Sequence, residues 1–460
     1  MCMDKTNELG QEKILKLLIK FFIPAIVGTM VGALYNIVDR IYIGRGVGSL
    51  ALAGLSVTFP IMIITQGFGM LIGMGTAVLV SINLGKKDKN KANKVLGNAF
   101  IMLILVSIFV SILCFIIKGP LLRSFGASEN TIKFANDYLE IILFGTVFQN
   151  TGFGLNNTIR SEGNPKIAMC TMLIGAGLNI ILDPVFIFVF HMGVRGAALA
   201  TIISQLVSAI WVISHFAGKN SVVKLKKKNF KIEKDIVIGI ISIGMSPFAI
   251  QIASSAINVL LNKQLINYGG DLAIGAMGII NSVSMVIIMS MVSVNQAAQP
   301  IIGYNYGAKQ YDRIKETLKL AITGGVLIGT LGFISVEVFP SAIIGIFNKT
   351  DKELLKIGVY GIRRFLCMLP LIGFQIVGAN YFQAIGRAKV SMLLSLSRQV
   401  LILIPMLLIL PTIFGINGVW ISGPVADTIS SIITAIFLYR GIKSLGKEEN
   451  QPVKEAEVVI

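Results

Sequence analysis

Apolar residues run in blocks of 20 or more along almost the whole chain, separated by short polar segments. A helix of about 20 residues crosses the roughly 30 Å hydrocarbon core of a bilayer, so each block predicts one membrane span. Twelve blocks fall near 14–40, 51–83, 95–117, 132–157, 166–190, 195–216, 236–266, 273–302, 316–343, 353–384, 389–413 and 417–440. The longer ones leave room for interfacial turns at their ends. The expected fold class is an all-α integral membrane protein of twelve transmembrane helices.

The polar punctuation repeats. Shifted by 222 or 223 residues, "INLGKKDKNKANKVLGNA" meets "YNYGAKQYDRIKETLKLA", placing Gly85 on Gly307. "FGASENTIKFANDYLE" meets "FNKTDKELLKIGVYGI", placing Tyr138 on Tyr360. "SEGNPKIAM" meets "QAIGRAKVSM" and "HMGVRGA" meets "FGINGVW", which align Gly163 with Gly386, Gly193 with Gly415 and Gly196 with Gly418. Four landmarks sharing one offset indicate a duplicated six-plus-six architecture. Six is even, so both halves cross in the same sense and the repeat is parallel, about an axis along the membrane normal. The predicted organisation is a first lobe at 1–217, a basic linker at 218–235, a second lobe at 236–441 and a tail at 442–460.

Composition sharpens this picture. The chain has 460 residues, 54% hydrophobic and 14% charged, well below the roughly 25% charged residues of globular proteins. Its formal charge of +18 would suit a nucleic-acid partner, but the distribution argues against one. With the N-terminus inside, inner segments carry 28 of the 41 Lys and Arg residues and outer segments 10. That asymmetry predicts a multi-pass protein of the cell (inner or plasma) membrane with both termini cytoplasmic. Anionic lipid is a sufficient partner for the basic bias. Residues 1–13 are polar and no small-residue cleavage site follows, so no cleaved leader is expected. Cys2, Cys114, Cys170 and Cys367 lack paired spacing and read as ordinary apolar residues. There is no GxxxxGK[ST], no GxSxG, and no HExxH, since His191 and His215 are the only histidines, so no enzyme activity is expected.

Two acids interrupt the apolar blocks: Asp39 in "ALYNIVDRIYIG" and Asp183 in "LNIILDPVFIFVF". A carboxylate in a bilayer costs roughly 3 kcal/mol or more and marks a functional site by default. Asn36 lies three residues before Asp39 and Asn179 four before Asp183, so each pair shares a helix face. Counting helical rise from the outer ends places Asp39 about 8 Å deep, Asp183 and Thr201 about 10 Å and Asn179 about 16 Å. Two carboxylates, an amide carbonyl and a hydroxyl are hard ligands for a small hard cation. Alternatively, two adjacent carboxylates share a proton. The structural alternative pairs Asp39 with Arg40 or Arg45 and makes Asp183 a cap for a kink at Pro184. In the second lobe, Glu337 sits close enough to the outer end to reach water, and Asp427 is mid-span with no convergent partner. Asp137 and Glu140 are expected to face water. Gly28/Gly32, Gly69/Gly73 and Gly325/Gly329 read as close-packing pairs, and Pro24, Pro60, Pro247 and Pro370 as bends. The Met-rich "SMVIIMSMVSVNQAAQP" fits lipid or core contact better than an adaptable substrate wall.

Taken in order, "ALYNIVDRIYIGR", "RSEGNPKIAM", "LNIILDPVFIF", "GVRGAALATIISQ" and "NQAAQPIIGYNYGA" resemble the multidrug and toxic compound extrusion (MATE) family over about residues 10–445. The resemblance implies two six-helix bundles in a V around a central cavity. It also implies antiport: export of cationic or amphipathic compounds in exchange for Na⁺ or H⁺, with no other cofactor and with the monomer as the working unit. It assigns cation binding to Asp39, Asn179, Asp183 and Thr201, and cavity lining to Tyr35, Asn36, Asn156, Asn157, Gln251 and Gln375. Where some members carry second-lobe acids this chain offers Gln251 and Gln375, which implies coupling through the first lobe. The runner-up is a flippase of lipid-linked sugars from the same wider superfamily, which Arg363, Arg364 and Arg398 keep open; an intramembrane enzyme is a third reading.

Overall fold

The structure, a computed structural model, describes residues 5–347 and 351–445; Cys2, the last fifteen residues and the side chain of Asn36 lie outside the described residues. Among the described residues every regular element is helical. The spans are α1 (Ile14–Gly46), α2 (Ser49–Gly85), α3 (Lys89–Ser124), α4 (Ile132–Ser161), α5 (Pro165–Pro184) and α6 (Gly193–Ala217). One continuous element, Lys234–Gly307, supplies α7 and α8. They are followed by α9 (Tyr311–Val338), α10 (Lys352–Phe365 with Leu369–Ala384), α11 (Ala388 through Phe414) and α12 (Ile416–Ser444).

Nine of the described helices, or ten counting the bent pair that makes α10, are long and apolar enough to cross a membrane. Two features reconcile that with twelve blocks. Lys234–Gly307 has 74 residues, about 110 Å of helix at 1.5 Å per residue, far more than one crossing. Gly270 breaks it with φ 66° and ψ −168°, a backbone that only glycine adopts without strain. α4 is 30 residues long but too polar to count as an apolar span. The expectation of a loop over 267–272 is therefore corrected to a single reversed glycine between two helices. The block at 353–384 is likewise two helices, bent by 46° around residues 366–368.

The duplication is written in the backbone. Left-handed φ recurs at Gly48 and Gly270, Lys87 and Lys309, Gly163 and Gly386, and Gly193 and Gly415, always 222 or 223 residues apart. At Lys87 the chain closes a helix with Asp88 N–H on Asn83 O at 2.9 Å and Lys87 N–H on Leu84 O at 3.0 Å. At Lys309 the same pair recurs, Gln310 on Asn305 at 2.9 Å and Lys309 on Tyr306 at 3.2 Å. This six-to-one, five-to-two bonding satisfies carbonyls that the helix end would orphan. A lysine in a left-handed conformation at both sites is a costly detail for unrelated segments to share.

The chain forms two compact units, Met1–Glu12 with Ile23–Gln251, and Lys13–Phe22 with Ile252–Ile460. The first half of α7 thus belongs with the first unit. It packs against α2 so closely that a Cβ on Gly244 would lie 1.7 Å from Leu71 O, and one on Gly75 2.0 Å from Ile240 O. Within the same unit Gly73 meets Gly154 backbone to backbone, and in the second unit Gly325 and Gly329 meet Gly373 and Leu369. The small-residue pairs are packing devices, as their spacing predicts. The second unit centres on fully buried Trp420 with Ile280, Met291, Ile362 and Leu369. Met291 is core whereas Met285 is exposed, in line with the lipid-or-core reading of the Met-rich segment.

The linker is tied down by side chains from the first unit. The buried Glu162 carboxylate accepts Ser221 Oγ–H at 2.7 Å, Val222 N–H at 3.0 Å and Val223 N–H at 3.2 Å on one oxygen. His215 Nε2 and Asn164 Nδ2 meet its other oxygen. Asn93 and Asn98 hold the backbone of Lys224, Lys231 and Glu233.

Candidate functional site

Four helices of the first unit bring their polar residues to one place. α1 supplies Asp39, α4 Tyr138, α5 Asn179 and Asp183, and α6 Thr201; all five are buried. α5 starts on Pro165 at its first turn, where a missing N–H costs nothing. It carries Asn179 and Asp183 one turn apart on its inner face. After Pro184 the backbone widens into a π-helical turn, Val185–Val189, a distortion that frequently accompanies functional sites. The kink expected at Pro184 is thus a change of helix type, and Asp183 itself is wholly buried.

The Asn179 amide organises the group. Its Nδ2 donates to Asp183 Oδ1 at 3.2 Å and to Thr201 Oγ1 at 3.4 Å. The Asp39 and Asp183 carboxyls are neighbours, and the Tyr138 hydroxyl lies near both and near Thr201. Three buried oxygens are left with no hydrogen-bond partner: Asp39 Oδ1, Asp183 Oδ2 and Asn179 Oδ1. All three are acceptors. A buried acceptor without a donor costs about 1–3 kcal/mol, and more when it is charged, so the cluster is energetically incomplete without a positive or proton-bearing occupant.

A cavity of about 720 Å³ leads to it. Asp39 and Tyr138 line this space together with Arg40, Arg45, Ser56, Thr58, Phe59 and Met62, a volume in the range of small-molecule sites. Arg40 does not neutralise Asp39: its guanidinium lies over the Phe59 ring, 5.2 Å from the centroid. Among the described residues Asp39 forms no ion pair, so the pairing with Arg40 or Arg45 is not what the fold builds.

The other sequence-predicted residues divide. Tyr35 lies on α1 one turn before Asp39, close enough to Tyr138 to act on it electrostatically. Asn156 and Asn157 are buried on α4, Asn156 with an unpartnered Oδ1 and Asn157 donating to Phe153 O at 3.4 Å; neither lines the cavity around Asp39. Gln251 ends the first unit and is half-buried. Gln375 is buried in the second unit and donates to Leu394 O at 3.4 Å.

Three acids need correction, and a fourth, Glu337, keeps its reach to water while gaining a partner. Asp427 has a partner after all: Arg398 Nε donates to its Oδ1 at 2.6 Å, from the π-helical turn Ser397–Leu403 of α11. Glu337 is held by Arg363, whose guanidinium lies 3.4 Å from the carboxylate and 2.8 Å from its backbone carbonyl. Asp137 pairs with Arg195 at 2.7 Å and Glu140 with Lys118, so neither simply faces water. Tyr138 is the residue that the sequence did not single out as functional; its only signal was alignment with Tyr360.

A duplicated all-helical bundle with a convergent, under-satisfied acceptor cluster inside an apolar lobe defines a multi-pass membrane transporter. The MatE family pattern matches residues 24–185 and 247–409, the same stretch in each half, and the chain belongs to this family of multidrug efflux transporters. The multidrug export protein MepA of Staphylococcus haemolyticus (strain JCSC1435) is 27% identical over 429 residues, 93% of this chain and 94% of that one. MepA of Staphylococcus aureus (strain MSSA476) is 28% identical over 426 residues, with the same shares. Among solved structures, the MATE multidrug transporter DinF-BH superposes with a TM-score of 0.88 at 39% identity, covering 94% of this chain and 96% of that one. A MATE transporter in the bent conformation reaches a TM-score of 0.92 at 24% identity, over 98% and 100% of the two chains.

Proposed function

We propose that this chain is a secondary antiporter of the cell membrane that exports cationic and amphipathic compounds in exchange for inward Na⁺ or H⁺. The observation that carries the reading is the trio of orphaned acceptors on Asp39, Asn179 and Asp183. Two carboxylates in contact need a counter-charge, either a proton on one of them or a cation between them. Two carboxylates, an amide oxygen and the hydroxyls of Thr201 and Tyr138 form an all-oxygen set suited to a hard cation such as Na⁺. An organic cation entering the cavity beside Asp39 competes for the same negative charge, and that competition is the coupling. The multidrug export role of the MepA relatives and the multidrug transport role of DinF-BH support the substrate class. The whole set lies in the first unit of a single chain, which supports a working monomer; the basic inner segments support cytoplasmic termini. A flippase for lipid-linked sugars would place cations at its centre for pyrophosphate, the opposite of this acidic cluster with its unanswered acceptors.

The test is ethidium efflux from proteoliposomes under separately imposed Na⁺ and pH gradients. Wild type should export under at least one gradient, and Asp39→Asn and Asp183→Asn should each lose gradient-driven export while remaining folded. Full export by Asp183→Asn would sink the mechanism.

A further inference from the structure

The second unit carries a separate pocket of about 390 Å³, lined by Ser341, Lys352, Lys356, Tyr360, Arg363 and Arg364 with two aliphatic neighbours. We propose that it is a binding site for a phosphate-class anion, at the membrane end that the charge distribution places outside.

Its chemistry is the reverse of the acidic cluster. Lys352, Lys356, Val359 and Arg363 recur at four, three and four residues along the first part of α10 and so share one face. Arg363 is engaged by Glu337. Among the described residues no carboxylate pairs with Lys352, Lys356 or Arg364. Asp351 turns its carboxylate to the helix end instead, accepting the Glu353 and Leu354 N–H groups at 3.0 Å. Three cations around one concavity are therefore uncompensated. Such crowding raises the free energy of the empty site by mutual repulsion and favours an anion.

The arrangement is built rather than diffuse. Arg364 lies flat on the Tyr360 ring, 3.3 Å from the centroid, and Tyr360 is fixed in turn by donating its hydroxyl to Asn417 Oδ1 at 2.6 Å. A stacked guanidinium keeps its in-plane N–H groups available, the fork that grips a phosphate by two bonds. Lys352 and Lys356 supply point charges on flexible stems, and Ser341 a hydroxyl. The location runs against the global charge bias: outer segments carry only 10 Lys and Arg residues, yet two of them meet two further arginines here. Tyr360 is also the repeat counterpart of Tyr138, so the two halves have placed opposite charges around equivalent tyrosines.

A phosphodiester lipid headgroup and free phosphate share this chemistry. The experiment reconstitutes the full-length protein in nanodiscs of phosphatidylcholine with phosphatidylglycerol and counts the lipids retained on release by native mass spectrometry, with and without added inorganic phosphate. Wild type should retain phosphatidylglycerol in preference to phosphatidylcholine. The double variant Lys356→Gln/Arg364→Gln should lose roughly tenfold or more of that preference, the effect of removing charge-assisted hydrogen bonds. The surface variant Lys133→Gln should not change it. Retention that inorganic phosphate leaves intact identifies the lipid headgroup as the ligand; displacement by phosphate identifies the free anion. No preference in wild type together with no phosphate binding overturns the proposal, as does an unchanged preference in the double variant or in the single variant Lys356→Glu.

Discussion

Tyr138 shows how a residue can line a candidate site and be silent in the sequence. A tyrosine in an apolar helix is ordinary, because its ring buries well and its hydroxyl needs only one partner. Asp39 and Asp183 were legible because a carboxylate in the same setting is costly. Removing only the Tyr138 hydroxyl should leave the fold intact and take one oxygen from the cluster. Tyr138→Phe should therefore lower gradient-driven export about two- to tenfold, the worth of one hydrogen bond, with unchanged thermal stability by scanning fluorimetry. Asp427 illustrates the opposite error: its apparent isolation reflected a partner 29 residues away, which no helical spacing reveals. Its carboxylate is buried and Arg398 is mostly so, so Asp427→Ala strands a charge and should cost about 3 kcal/mol. Arg398→Met added to Asp427→Ala should recover most of that loss, read as the melting temperature in detergent.

Helices were readable in number and placement because each must be apolar over a bilayer's thickness. Their ends were less so. The break at Gly270 needs a single reversed glycine, and "INYGGD" read as a loop because two glycines and an acid are a turn-like composition. The bend in α10 was signalled by Pro370, which opens the helix after it, whereas the π-helical turns of α5 and α11 leave little compositional trace; Pro184 marks one of them without specifying its geometry. Glu162 is the strongest element-level anchor, and "RSEGNPKIAM" was legible as a repeat landmark but not as the carrier of a carboxylate with four partners on a neighbouring helix and the linker and a fifth in Asn164. Glu162→Ala would leave the Val222 and Val223 N–H groups unanswered and the Ser221 hydroxyl with only the Val223 carbonyl. It should cost about 3 kcal/mol or more and release residues 218–235 to limited proteolysis, while Asp88→Ala, at an exposed cap on α3, should cost about 1 kcal/mol and leave the linker protected.

At the scale of the whole molecule, the duplication was the most secure sequence reading, and four pairs of left-handed backbone positions at one offset bear it out. What the repeat does not convey is that the halves have diverged in charge. The first holds a cluster with three unanswered acceptors and no cation, and the second a buried ion pair and a basic pocket. That asymmetry makes the first unit the coupling unit in this account. The direct test is equilibrium binding of ethidium to the purified protein, titrated with Na⁺ at fixed pH and with protons at fixed Na⁺. At least one of the two cations should weaken ethidium binding to wild type, and the competition should be lost in both Asp39→Asn and Asp183→Asn. Ethidium binding indifferent to both cations, or competition fully retained in the two variants, would contradict that coupling role.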